Sequence, residues 1–160
     1  MNHEISQLIH SKLCVMKKLF VLTCTVMLMV TAFAKVPEVN DKVLKAFNET
    51  FTRAQQINWE EKDGSYMVNF VQSSVRYRVN YDVQGNIVSS IRYYEPGMLP
   101  TNILSALKKR HAQKTFYGVT EIAVGPDVSY FVKMYDDKNW YCVKADASGS
   151  NEIVEKFKKN

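Results

Sequence analysis

SYMVNFVQSSVRYRVNYDVQGNIVSSIRYY, residues 65–94, decides the fold. Its apolar and aromatic side chains recur at every second position: Tyr66, Val68 and Phe70, then Val75, Tyr77, Val79 and Tyr81. A period of two is the signature of strands with one buried face. Ile87, Ser89, Ile91 and Tyr93 continue the alternation, and Ile57 with Trp59 begin it upstream, so all are expected on the same buried side. Asp63-Gly64 and Asp82-Val83-Gln84-Gly85 separate the runs as hairpin turns.

Outward from this core the period changes. Val39, Val43, Leu44, Phe47 and Phe51 recur at three to five residues, which predicts a helix with one apolar face, opened by Val36-Pro37. Proline suits a first helical turn because its missing N–H would be unpaired there anyway. The pattern restarts at Leu99-Pro100, with Ile103, Leu104 and Leu107 as a second helical face and Val119 to Val124 as a new alternating run.

The two spans correspond at an offset of about 64 residues. Tyr66, Val68 and Phe70 fall on Tyr130, Val132 and Met134; Tyr77 and Val79 fall on Tyr141 and Val143; Asp82-x-x-Gly85 falls on Asp146-x-x-Gly149. The predicted fold is α+β with two tandem repeats, at about 36–95 and 99–158. In each, one helix packs on an antiparallel meander of about four strands. The other sheet face must then meet solvent, the sister repeat or a partner.

The N-terminal residues carry an address. Met16-Lys17-Lys18 supplies a basic region, Leu19 to Val30 an apolar run, and Ala32-Phe33-Ala34 the small residues of a cleavage site before Lys35. Residues 16–34 read as a secretory signal peptide, shorter than the ~20 apolar residues of a bilayer span. Residues 1–15 read as an upstream extension that export does not need, with Met16 as the start. Cys24 follows Leu22-Thr23 and offers a lipidation alternative, although such sites favour Gly, Ala or Ser before the cysteine. The expected location is periplasmic or secreted, with no membrane span after cleavage.

Residues 35–160 suffice for one unit with a core that needs no staples. Losing Lys12, Lys17, Lys18 and Glu4 lowers the formal charge from +5 to +3, which gives no argument for nucleic acid. Cys142 is the only cysteine left, so an intramolecular disulfide is excluded and a dimer through Cys142 is the covalent pairing the sequence allows. His111 is the only histidine left, which excludes a multi-histidine metal site. It is expected at the end of the second helix, where a cation suits the helix dipole.

Val36-Pro37, Ala46-Phe47, Phe51, Ile57-Asn58-Trp59-Glu60, Tyr66 with Phe70, the Asp82-x-x-Gly85 turn and the second start at Leu99-Pro100 together resemble the PepSY-like, β-lactamase-inhibitor-like family of periplasmic proteins. The resemblance implies export and tandem helix-plus-sheet repeats. Related folds inhibit hydrolases by laying an aromatic-rich sheet surface over the enzyme, and some relatives are calcium-regulated. The sequence departs from the pattern at Thr52-Arg53, where proline is typical, and at Ser148-Gly149-Ser150, which is expected to loosen the second turn.

Catalytic chemistry finds no set of residues. Ser105-Ala106-Leu107-Lys108 matches Ser-x-x-Lys, but the Lys-Thr-Gly strand and Ser-Asp-Asn loop of that chemistry are missing, so both side chains read as solvent-facing. A Cys142–His111 nucleophile pair has nothing in its favour, since Cys142 falls mid-strand. Asp136 and Asp137 are calcium candidates, as are Asp82 and Asp146, but turn formation explains all four. No cofactor is implied.

What remains is the aromatic surplus. On the face away from its helix, the first span places Met67, Asn69, Val71, Arg76 and Arg78, and the second places Phe131, Lys133, Tyr135, Trp140, Cys142 and Lys144. Aromatic residues with interspersed cations compose a protein-binding patch. Two readings stand side by side: this face binds another protein or an envelope polymer, or the two sheets pack together or run continuously and bury part of it. The sequence therefore predicts a non-catalytic binding or inhibitor-like module, with Phe131, Lys133, Tyr135, Trp140 and Lys144 as contact residues. The alternative is a calcium- or small-ligand-responsive envelope sensor using the acidic turns.

Overall fold

The computed structural model describes residues 38–159; the signal-peptide region, Val36 and Pro37 lie outside them. Asn40 caps the first helix, α1 (Asp41–Thr50), by accepting a 2.8 Å hydrogen bond from the Lys42 N–H. Four strands follow: β1 (Gln55–Lys62), β2 (Ser65–Gln72), β3 (Val75–Tyr81) and β4 (Ile87–Tyr94). A 3-10 turn at Pro96–Met98 leads into α2 (Thr101–Arg110), whose last turn carries Lys108, Lys109 and Arg110 toward the negative end of the helix dipole. Strands β5 (Thr115–Val124), β6 (Asp127–Tyr135), β7 (Asn139–Asp146) and β8 (Asn151–Lys158) complete the chain.

All eight strands form one antiparallel sheet in sequence order. This overturns the expectation of two tandem helix-plus-sheet repeats. β4 pairs with β5 through six residue pairs, from Ser89 with Val124 to Tyr94 with Val119. The physical reason lies in the edges. Two separate four-stranded sheets would expose four rows of unpaired backbone groups, and joining β4 to β5 leaves only the outer rows of β1 and β8. At β8 that edge is guarded by a register shift opposite Cys142 and Val143 and by Lys156 and Lys158.

Both helices lie on one side of this sheet. Under α1, Val43 and Phe47 are buried with Tyr66, Val68, Phe70, Val79 and Tyr81. Under α2, Ile103 and Leu107 are buried with Val119, Tyr130, Val132, Met134, Tyr141 and Val143. Burial raises the Tyr81 hydroxyl pKa to about 12. Between the two cores, Arg92 on β4 faces Glu121 on β5. The Arg92 guanidinium donates two hydrogen bonds to Glu121 Oε1, and the Tyr94 hydroxyl donates one of 2.6 Å to Oε2. Glu121 is buried, so these three donors compensate a carboxylate withdrawn from water.

The phase of β4 also differs from expectation. Asn80 pairs with Ser89 but Tyr81 pairs with Ile87, so Val88 is an extra residue and the alternation reverses there. Ser89, Ile91 and Tyr93 therefore face away from the helices, and Ser90, Arg92 and Tyr94 take the helix side.

Two turns tie the sheet to the helices. In each, an aspartate organises the loop. Asp82 Oδ1 accepts from the Gln84 and Asn86 N–H groups, and Asp146 Oδ1 from those of Ser148 and Ser150. Gly85 and Gly149 hold positive φ of 90° and 88° and sit against α1 and α2. The second turn is thus held against its helix, not loosened by Ser148-Gly149-Ser150.

Candidate functional site

The sheet side without helices is the surface to which the sequence pointed. Strand alternation places Phe131, Lys133 and Tyr135 of β6 on it, opposite Lys144, Cys142 and Trp140 of β7. The five proposed contact residues thus come together on one hairpin. The Tyr135 and Trp140 rings lie 4.9 Å apart. Lys133 Nζ stands 4.9 Å from the Trp140 ring centre, and Lys144 Nζ 6.0 Å from that of Phe131. Both distances suit cation–π attraction.

Three further residues that the sequence reading missed complete this cluster. Tyr117, 60% exposed, meets Trp140 edge-on at 5.2 Å and also lies beneath Lys133. A register shift between Phe116 and Gly118 makes Tyr117 the extra residue of a bulge; a glycine inside a strand is the sequence signal for one. Phe157, 57% exposed, pairs with Trp140 across β8. Lys159 places its amine 4.0 Å from the Tyr135 ring centre. The two sheets do run continuously; Phe131, Tyr135 and Trp140 are half-buried, while Tyr93, Tyr117, Val124 and Phe157 remain exposed.

One ladder row crosses the whole face. Arg76 pairs with Tyr93, Tyr93 with Thr120, Thr120 with Phe131, and Phe131 with Lys144. Three depressions of about 380, 440 and 410 Å³ lie along this row as far as Phe131, the third turning from there toward Trp140 and Phe157. The first and second share Arg76 and Tyr93, and the second and third share Thr120 and Lys133. They form one trough that crosses the strands.

Elsewhere the arrangement can do little chemistry. Ser105 and Lys108 are exposed on α2, as solvent-facing residues should be. Cys142 lies on the open face, whereas His111 lies at the end of α2 on the helix side, so they do not meet. Burial first, then Glu155, pushes the Cys142 thiol above its ordinary value and keeps it protonated. Asp136 spends Oδ1 on the Lys138 and Asn139 N–H groups and Oδ2 on the Tyr141 hydroxyl, which hold its carboxyl well below the usual range. Asp137 is exposed beside it. Among the described residues no three His, Cys, Asp or Glu side chains converge as metal ligands.

His111 lies at the end of α2 as expected, but its surroundings do not favour a cation there. It is buried, and its ring Nε2 lies 3.1 Å from Asn151 Oδ1. Burial lowers its pKa below the ordinary value; the Asn151 contact opposes this, and Lys114 and Arg110 reinforce it. Below pH ~6.5 the unfolded chain then takes up the proton first, so stability falls as pH falls. The aspartates of the turns have lowered pKa values and act only below about pH 4. The thermal midpoint should therefore drop between pH 7.5 and 5.5, and His111→Asn should remove most of that slope. An unchanged slope in the variant would show that His111 does not titrate with folding.

No protein-family model matches the chain, and no curated protein matches it. Solved structures share its fold. A BLIP-like protein from Bacteroides fragilis superposes with a TM-score of 0.57 at 16% identity, covering 78% of this chain and 89% of its own. A DUF2874 family protein from Bacteroides ovatus gives 0.54 at 18% identity, over 74% and 86%. A protein from Bacteroides eggerthii, described provisionally as periplasmic, gives 0.55 at 16% identity, over 76% and 90%. The chain thus has a BLIP-like fold, which agrees with the β-lactamase-inhibitor-like half of the resemblance; none of the three carries the PepSY name. Among the described residues no helix is long and apolar enough to cross a membrane.

Proposed function

We propose that this chain is a non-catalytic periplasmic binding module of the inhibitor-like kind, which holds its partner on the open sheet face at Phe131, Lys133, Tyr135, Trp140 and Lys144. One observation carries the reading: the side of the sheet that no helix covers gathers Tyr117, Tyr135 and Trp140 into ring contact with lysines above them. Large rigid rings with cations are the side chains that dominate binding energy at protein interfaces. The BLIP-like fold and the provisionally periplasmic relative support the class and the compartment. The hydrogen-bonded state of Asp136, Asp82 and Asp146 gives the sensor reading no comparable support.

The test is affinity capture from envelope extracts with the wild-type protein and with Tyr135→Ala/Trp140→Ala, followed by titration of each captured partner. Loss of these two rings should weaken a true partner by about 2 kcal/mol or more, roughly 30-fold. Both side chains stand outside the two helix-side cores, so the circular dichroism spectrum should not change. Partners that bind the folded double variant as tightly as the wild type would place the binding surface elsewhere.

A further inference from the structure

The trough on the open face has a length, a direction and a charge pattern that select among ligands. It passes from the β2 residues Asn69 and Val71 to Phe157 on β8, six strand spacings away. At ~4.8 Å per spacing this is about 29 Å, which matches eight or nine residues of extended chain at ~3.4 Å each. It runs across the strands, so an occupant lies over the side chains and does not add to a sheet edge.

Cations punctuate it. Arg76 lies 6.0 Å from the Tyr93 ring centre and Lys133 lies over Tyr117 and Trp140; Lys144, over Phe131, stands at the margin and does not line the trough. Glu95 and Glu155 also line the trough, and Glu152 pairs with Lys144 across β7 and β8. Even so, the described ion pairs are Lys45 with Glu49 and Arg92 with Glu121, and neither involves these three cations. Each is held over a ring instead, with its charge open to a carboxylate from outside. Between them the lining is mostly aromatic, with Val71, Tyr93, Tyr117, Phe131, Trp140 and Phe157. Large rings with cations between them have the composition of a protein-binding patch, which favours a polypeptide as the occupant.

We infer that the trough binds an extended acidic polypeptide segment of about eight or nine residues, whose carboxylates meet Arg76 and Lys133 and whose apolar side chains rest on the rings between them. The inference rests on the open face being the binding surface proposed above. It adds the chemistry of the occupant and the direction in which it lies.

The probes are three fluorescein-labelled nonapeptides, alternating leucine with glutamate, serine or lysine, and a labelled polygalacturonate as a carboxylated glycan, measured by anisotropy. The glutamate peptide should bind at least 10-fold tighter than the lysine peptide and weaken as salt rises. Arg76→Ala and Lys133→Ala, both at exposed positions, should each cost it several-fold, with unchanged thermal midpoints. Equal binding of the acidic and basic peptides, or acidic-peptide binding that ignores both substitutions, would overturn the inference. So would binding of polygalacturonate without the peptide. In each of those cases a partner captured through Tyr135 and Trp140 would still stand, whereas loss of that dependence as well would remove the binding face itself.

Discussion

Phe47→Ala is expected to lower stability by about 3–5 kcal/mol, the largest effect of any substitution considered for this protein. Phe47 is 2% exposed in the middle of α1. Its ring meets Trp59 and Phe70 edge-on, each at 5.2 Å, and Phe51 at 5.6 Å. Truncation removes its transfer energy and leaves a hole walled by three rigid aromatics. Rings of that size cannot collapse into the gap, so the cavity cost is retained. Thermal unfolding monitored by circular dichroism should show a midpoint lower by about 10–20 °C. The half-buried Phe51, at the C-terminal end of α1, provides a milder comparison. A Phe47→Ala loss below about 1 kcal/mol would mean that α1 does not anchor the first four strands.

Gly85→Ala should cost about 3 kcal/mol although it adds one methyl group. The residue holds φ at +90°, where a Cβ costs about 1–2 kcal/mol. That Cβ would also lie 2.9 Å from the Lys42 carbonyl oxygen, a backbone atom of α1 that cannot swing aside. Relieving the overlap means moving the helix or the turn, at a further ~1–3 kcal/mol. Gly64→Ala is the control. Its φ is +72° but no atom lies within 4 Å of the added Cβ, so only the conformational part, about 1 kcal/mol, should appear. Gly149→Ala should fall between them, because its nearest neighbour is the Ala106 methyl at 3.2 Å. Equal losses at Gly85 and Gly64 would show that the turn does not bear on α1.

The contrast between these glycines shows how far local pattern reaches. Asp82-x-x-Gly85 and Asp63-Gly64 both read as turns, and both are turns. Nothing in either motif says that one is pressed under a helix and the other is free. The candidate site divides in the same way. Phe131, Lys133, Tyr135, Trp140 and Lys144 were legible because β6 and β7 alternate without interruption and pair in register. Tyr117 and Phe157 were not, because Tyr117 is itself the extra residue of a bulge and Phe157 follows one at Val154, and one extra residue changes the side to which a chain points.

The sequence by itself determined that two helices alternate with two runs of antiparallel strands, which faces of α1 and α2 are apolar, and which aromatic residues of β6 and β7 face away from them. These follow from periods of 3.6 and 2, which each segment carries alone. Only the tertiary structure decided that β4 joins β5 in one sheet, that Ile91 and Tyr93 face outward, and that Glu121 is buried against Arg92 and Tyr94. Pairing between strands depends on backbone groups that every residue shares. A bulge at one residue then sets the facing of all that follow, so neither is written in the composition of a single strand.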